Sequence, residues 1–208
     1  MNLTSESFDD GSRIPADFAF CDFDEESHVK LAGNRSPQFA WSDVPEGTKS
    51  FALVCHDPDV PSKGDDVNQE DRQVPVDLPR VDFFHWVLVD IAASCRSIAA
   101  GAFSEGVTPR GKIGPAGADA TRQGTNDYTG WFAGDADMNG DYFGYDGPCP
   151  PWNDTIVHHY HFTLYALDVE TCGVDGTFDG TDVRGALKGH TLAEASVVGT
   201  YTLSPQLA

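Results

Sequence analysis

Hydrophobic and polar residues alternate over short stretches of this chain, and turn-forming residues end most of those stretches. The alternation is clearest at 156–168, where His158 and Tyr160 fall on one face and His159 and His161 on the other. Further strands are predicted at 17–23, 37–41, 50–56, 83–92 and 197–204. The runs at 50–56 and 83–92 are almost continuously apolar, which is typical of strands covered on both faces. The pattern predicts a mainly β fold, an antiparallel β-sandwich.

Helical signals are few and lie near the end of the chain. Residues 181–198 offer Thr181 as an N-cap and an interruption at 189–190, which favours two short peripheral helices. The segments 62–82 and 104–155 show little regular pattern. Long loops of this kind in a compact domain are usually functional or flexible.

Length and charge narrow the classes of function. The 208 residues, 40% hydrophobic, suit a single domain over 1–208. The formal net charge of −20 excludes nucleic acid and anionic membranes as expected partners. A salt-rich cytoplasm and a need for solubility both account for such a surface. We expect a cytoplasmic protein without stable membrane insertion, because neither a signal peptide nor an 18-residue apolar run is visible.

The cysteines do not form a recognisable framework. There are five, and they are scattered without a Cys-x-x-Cys pair. An odd, unpatterned set argues against a disulfide scaffold or a zinc site. We therefore expect reduced thiols, some of them in the core.

Polar side chains interrupt the core strands at similar positions. Asp57 ends one apolar strand, His85 lies inside the next, and His158 and Tyr160 share a face of a third. If these strands are neighbours, the four side chains converge at one rim of the sheet. A single such histidine is more often a hydrogen-bonded core residue, but several together beside proline-rich loops favour a site. Imidazoles, a carboxylate and the exposed N–H groups of a Gly/Pro-rich loop suit an anion.

Several motifs occur in a fixed order along the chain. They are FDDGSRIP (8–15), SPQFAWSDVPEGTKSFALVCHDPDVP (36–61), FFHWVLVDI (83–91), DYFGYDGPCPPWND (141–154), HHYHFTLYALD (158–168) and LKGHTLAEASVVGTY (187–201). In combination they are specific, whereas each alone is weak. The sequence resembles the phosphatidylethanolamine-binding protein family, in its bacterial branch of Raf-kinase-inhibitor-like proteins.

The resemblance implies a β-sandwich with a small rim cavity for phosphate-like anions or phosphorylated head groups, without a cofactor. The ligand-binding residues that it implies are Asp57, His85, Gly147, Pro148, His158 and Tyr160. Asp59, Pro61 and Trp86 are expected to surround them. The protein would be a non-enzymatic binder that also regulates phosphoprotein partners, in the manner of a kinase inhibitor.

Two departures from the family pattern change the expectation. The usual Arg of its His-Arg-Tyr element is His159 here, and alternation turns that residue away from His158. The segment 62–82 is longer than the family usually has. Because it connects two pocket elements, we expect an insertion loop near the cavity mouth.

A calcium site is one alternative. Residues 135–141, DADMNGD, match the start of an EF-hand loop through Asp135, Asp137 and Asn139, with Asp146 at the twelfth position. Flanking helices and the usual Glu are missing, so an acidic surface turn is the simpler interpretation. We predict no metal and keep this only as a weak calcium candidate.

An enzyme is the other alternative, a small hydrolase or metal-dependent enzyme that uses the His/Asp cluster. Cys55 faces the same way as Asp57, and His159 and His161 are spaced to chelate a metal. The chain has no Gly-x-Ser-x-Gly, His-Glu-x-x-His or P-loop motif. We expect no catalysis. Phosphorylated small molecules, a phosphoprotein and a second copy in a homodimer remain possible partners.

Overall fold

The computed structural model describes residues 1–207. The strands are β1 (Asn2–Thr4), β2 (Cys21–Asp24), β3 (His28–Leu31), β4 (Phe39–Ser42), β5 (Ser50–Pro61), β6 (Arg80–Ala92), β7 (Ser97–Ile98), β8 (Gly111–Lys112), β9 (Arg122–Gln123), β10 (Asp141–Tyr142), β11 (His158–Leu167) and β12 (Thr191–Tyr201). The helices are α1 (Tyr128–Trp131) and α2 (Gly180–Ala186), with 3-10 turns at Ala16–Phe18 and Ala118–Ala120. Within the described residues, no helix combines the length and apolar character needed to cross a membrane.

A five-stranded antiparallel sheet, in the order β12-β11-β5-β6-β9, forms the centre of the fold. Strand β5 lies between β11 and β6, so that Cys55 is opposite both Phe162 and Trp86. This register places the ends of β5, β6 and β11 that carry polar residues at one edge. The prediction of a mainly β, antiparallel fold is confirmed.

Both faces of the main sheet are covered. The small sheet β1-β4-β7 packs on one face, where the Phe39 ring lies 5.0 Å from that of Phe162. On the other face Val54 and Val87 pack against Phe178 and against Val183 of α2. Burial on both sides explains why β5 and β6 are almost continuously apolar.

The C-terminal segment differs from the prediction. Helix α2 begins after Asp179, whose carboxylate accepts from two backbone N–H groups of the first turn, so Thr181 is not its N-cap. The second predicted helix is wrong, because Thr191–Tyr201 is strand β12, paired along β11. Short apolar runs fit both periodicities, and here the ladder offered by β11 decides between them.

The expectation that all cysteines are reduced is wrong for one pair. Cys21 and Cys149 form a disulfide, with their Cα atoms 4.9 Å apart and a sequence separation of 128. Cys55, Cys95 and Cys172 are free. The spacing of the cysteines in the sequence does not predict this disulfide, because only the packing of β2 against the 147–151 loop brings the two residues together.

Candidate functional site

A cavity of about 370 Å³ opens at the edge where β5, β6 and β11 carry their polar residues. Asp57, His85, His158 and Tyr160 all line it. The structure therefore brings together the four residues that the strand pattern placed at one rim. Each is at least 97% buried, so the cavity floor is largely withdrawn from bulk water.

His158 is held from both sides by carboxylates. Its Nδ1 lies 2.7 Å from Asp57 Oδ2, and its Nε2 lies 3.1 Å from Asp154 Oδ2. A carboxylate accepts hydrogen bonds, so both ring nitrogens act as donors and the ring is an imidazolium. Burial lowers the pKa of His158, but the two carboxylates outweigh burial and raise it to about 9.

The alternation of charge continues to the next side chain. Arg80 donates to both oxygens of Asp154, at 2.6 and 3.1 Å. The order is therefore Asp57 negative, His158 positive, Asp154 negative and Arg80 positive. We call these four side chains the charge relay. Its formal charge is zero, so the Asp57 carboxylate at the cavity floor is neutralised locally.

The hydrogen bonds of the relay also act on its carboxylates. Burial raises the pKa of Asp57, but the hydrogen bond and the charge of His158 outweigh burial and hold that pKa below its ordinary value. The same balance lowers the pKa of Asp154, with Arg80 adding to the effect. The Asp57 carboxylate also accepts from the backbone N–H of Asp59 at 2.8 Å. Both acids are ionised at neutral pH.

His85 is neutral, in contrast to the protonated His158. Its Nδ1 lies 2.8 Å from the backbone oxygen of Asp146, which can only accept, so Nδ1 carries the proton. Burial lowers the pKa of His85, and the nearby Asp57 carboxylate offsets this only in part. The ring is neutral, and its Nε2 lone pair is left for the cavity.

Asp146 is itself fixed by a buried polar cluster. Its carboxylate accepts from Asn34 at 2.7 Å, from Asn126 at 2.8 Å and from the Lys112 ammonium at 2.7 Å. The cluster holds the backbone oxygen that sets the tautomer of His85. Burial lowers the pKa of Lys112, and the Asp146 charge opposes that shift.

The calcium candidate does not form one loop. Asp146 is fully buried and committed to the cluster just described. Asp135, by contrast, lies in an exposed turn, where its side chain accepts from the backbone N–H groups of Asp137 and Met138. The EF-hand interpretation of Asp135, Asp137, Asn139 and Asp146 is wrong because the twelfth position points into the core. Among residues 1–207, no group of three His, Cys, Asp or Glu side chains is placed to hold a metal ion.

Of the other family positions, Gly147, Pro148, Trp86 and Asp59 lie beside the cavity without lining it. The backbone oxygen of Gly147 accepts from the Tyr128 hydroxyl, and that of Pro148 accepts from Phe20 N. Trp86 lies in the core. Asp59 accepts from both the backbone N–H and the ring of His159, so this outward histidine retains an acidic partner. Of the residues expected around the pocket, Pro61 is a lining residue.

The cavity walls are mostly apolar. They are formed by Phe20, Val29, Leu31, Val60, Phe83, Tyr128, Trp131, Phe132, Met138, Pro150 and Pro151, together with the Cys21–Cys149 disulfide. The insertion predicted at 62–82 contributes Gly64, Val67 and Asn68. The site thus joins a polar floor to apolar walls that reach the surface.

Sequence reasoning missed the outer half of the relay. Asp154 ends the quoted 141–154 motif and Arg80 begins β6, but neither interrupts an apolar run. Lys112 and Asn126 were missed for the same reason, since they lie in the segment without regular pattern. A buried ion pair of this kind has no sequence signal beyond the charged residues themselves.

The comparisons with known proteins cover nearly the whole chain. The model of the family described as "Phosphatidylethanolamine-binding protein" matches residues 4–202. A UPF0098 protein of Methanothermobacter thermautotrophicus is 32% identical over 97% of this chain and 98% of its own length. The UPF0098 protein YbhB of Escherichia coli is 31% identical over 97% of this chain and 100% of its own length.

The structural comparison agrees. The crystal structure of Escherichia coli YbcL, titled as a new member of the mammalian PEBP family, superposes with a TM-score of 0.69. The two chains are 28% identical, and 97% of each is covered. The fold, the order of the motifs and the family match agree, and the chain belongs to the phosphatidylethanolamine-binding protein family.

Proposed function

We propose that this protein binds a phosphate-like anion or a phosphorylated head group in the rim cavity and does not catalyse a reaction. One observation carries the proposal. A neutral His85, and an Asp57 whose charge is balanced by His158, lie together at the floor of an otherwise apolar cavity. The former presents a lone pair, and the latter presents little net charge to a ligand.

Proton balance defines the ligand state that fits. A phosphate monoester has its second pKa at about 6, so at neutral pH it exists as a mixture of monoanion and dianion. The monoanion donates its P–OH to His85 Nε2, or His85 takes up a proton from solvent on binding and donates a hydrogen bond from Nε2 to the dianion. In both routes the complex contains one proton more than the free phosphate dianion and the free protein with its neutral His85 ring contain together. Affinity should therefore fall as pH rises above ~6, by up to about tenfold per pH unit.

Apolar walls favour ligands with more than a phosphate. A phosphorylated head group places its anion at the floor and its remaining atoms against side chains such as Val60 and Phe132. A phosphorylated protein side chain has the same anionic group. The family resemblance supports regulation of phosphoprotein partners through this chemistry, and competition between phosphorylethanolamine and a phosphopeptide would measure it.

Two observations favour binding over turnover. Burial raises the pKa of the Cys55 thiol well above its ordinary value, with Asp57 adding to the shift, so this cysteine is a poor nucleophile. Both ring nitrogens of His158 are occupied by carboxylates, which leaves that ring without a free lone pair for a proton or a metal. A hydrolase that used Cys55 as its nucleophile or His158 as its base would need that group in the opposite state.

Histidine side-chain NMR tests the proposal. Inorganic phosphate and phosphorylethanolamine are titrated into wild type, His85→Gln and the surface control His190→Gln. We expect saturable shifts of His85 and His158, which both line the cavity, in wild type and the control, and no saturable shift of His158 in His85→Gln. Absence of a response at millimolar ligand in wild type, at pH ~6, would refute anion binding in this cavity.

A further inference from the structure

The segment 62–79, which joins β5 to β6, forms one wall of the cavity. It contains no strand or helix of its own, yet Gly64, Val67 and Asn68 line the cavity. A wall without a backbone ladder needs other bonds to keep one position. One side chain outside the segment makes the largest group of those bonds, beside short backbone bonds within the segment.

That side chain is Asn153, which is 6% exposed. Its Nδ2 group donates to the backbone oxygens of Asp66, Gln69 and Arg72 at 2.8, 3.2 and 3.0 Å. Its Oδ1 accepts from the backbone N–H of Asn68 at 2.9 Å. One amide thus gathers four backbone groups spread over seven residues, which closes the segment into a compact loop.

The fastening is reciprocal and fixes a lining residue. Asn68 Oδ1 accepts from the backbone N–H of Trp152 at 3.1 Å. Asn68 also has a φ of 55°, in the left-handed region that Asn tolerates better than most residues. Beyond it, the Thr155 hydroxyl donates to the backbone oxygen of Val74 at 2.8 Å. The wall is therefore attached to 152–155 at several points.

The same short stretch holds the charge relay. Asp154 follows Asn153 directly and binds both Arg80 and His158. Arg80, at the other end of the 62–79 segment, also donates to the backbone oxygen of Asp59 at 2.8 Å. Neighbouring residues of one short loop, 152–155, thus set both the position of the wall and the polar floor of the cavity.

We infer that Asn153 is a positioning residue and that the 62–79 wall determines which phosphorylated ligands the cavity prefers. This inference rests on the proposed anion binding. A bare phosphate occupies the floor at Asp57 and His85 and does not reach the wall. A ligand with an apolar group packs that group against Val67, so its affinity depends on the wall being held.

The experiment compares two probes by calorimetry at pH ~6, inorganic phosphate and phenyl phosphate. The variants are Asn153→Ala, Val67→Ala and the control Asn2→Ala, an exposed asparagine of β1 whose side chain binds Asp43. We expect Asn153→Ala to weaken phenyl phosphate about tenfold, the effect of losing one valine-sized apolar contact, with inorganic phosphate unchanged within about twofold. Hydrogen exchange of 62–79 should accelerate in this variant alone.

The outcomes separate the inference from the function on which it rests. If wild type binds neither inorganic phosphate nor phenyl phosphate, both the proposed anion binding and the role of the wall are overturned. Wild type that binds both, with the same ratio of affinities in Asn153→Ala, overturns only the role of Asn153 and the wall. If Asn153→Ala does not fold, Val67→Ala decides: a selective loss of phenyl phosphate supports the wall, and an unchanged ratio refutes it.

Discussion

The charge state of His158 makes a prediction about stability and pH. Its pKa is about 9 in the folded protein, against 6.5 for an unperturbed histidine. A group whose folded pKa is raised contributes stability that is complete below its unfolded pKa and is lost as pH rises through the folded value. At 1.36 kcal/mol per pKa unit, the contribution is roughly 3 kcal/mol, lost between about pH 6.5 and 9.

The perturbation that tests this is Asp154→Asn. It removes one of the two carboxylates that raise the pKa of His158 and leaves the ring with Asp57 alone. We expect the pKa of His158 to fall, and the loss of stability between pH 6.5 and 9.5 to shrink by about half. The variant should also be less stable at pH 6.5, since Arg80 loses its bidentate partner.

The assay is urea unfolding of wild type and Asp154→Asn at several pH values between 6.5 and 9.5, with the NMR titration of His158 alongside. Other groups that titrate in this window are common to both proteins, so the difference between the two curves isolates the relay. Parallel stability curves, or a His158 that titrates near 6.5 in wild type, would show that the imidazolium is not held as described.

Four further outcomes are expected. Lys112→Met should cost about 3–5 kcal/mol in urea unfolding, because it leaves a buried carboxylate without its ammonium; a neutral result would contradict that pairing. Gly147→Ala should destabilise by about 1–3 kcal/mol, because a Cβ would press on the Phe18 carbonyl, and unchanged thermal unfolding would argue against this contact. Cys149→Ser should lower the free energy of unfolding by about 2–4 kcal/mol without reductant, and reduced wild type should match the variant. Equal stability of oxidised and reduced wild type would exclude a contribution from the disulfide to Cys21. Because the net charge of −20 opposes anions at long range, stopped-flow association of phosphorylethanolamine should speed up with added salt, and a slowing would indicate local positive steering.

The position of the ligand is also constrained by the relay. Because His158 already donates to two carboxylates, it does not supply the direct donor to an anion that the sequence pattern suggested. His85 and the proton shared with it take that role in our proposal. The four residues predicted for one rim are therefore together, but the two histidines are held in different protonation states.

The sequence by itself determined the central strands β5, β6 and β11 and the polar residues that each of them carries. Alternation and turn signals predicted the central strands, because the period of a strand is local and is set by which face is buried. The same alternation placed His158 and Tyr160 on the inward face and His159 on the outward one. The motifs added the family, since their order is a property of the chain alone.

Only the tertiary structure decided the features that depend on distant neighbours. Residues 191–201 became a strand because β11 offered a ladder, and Cys21 found Cys149 because two loops pack together. The protonation states of His85 and His158 follow from which oxygens lie beside each ring. Those oxygens belong to Asp146, Asp57 and Asp154, and their placement is fixed by burial and long-range hydrogen bonds, which no local pattern records.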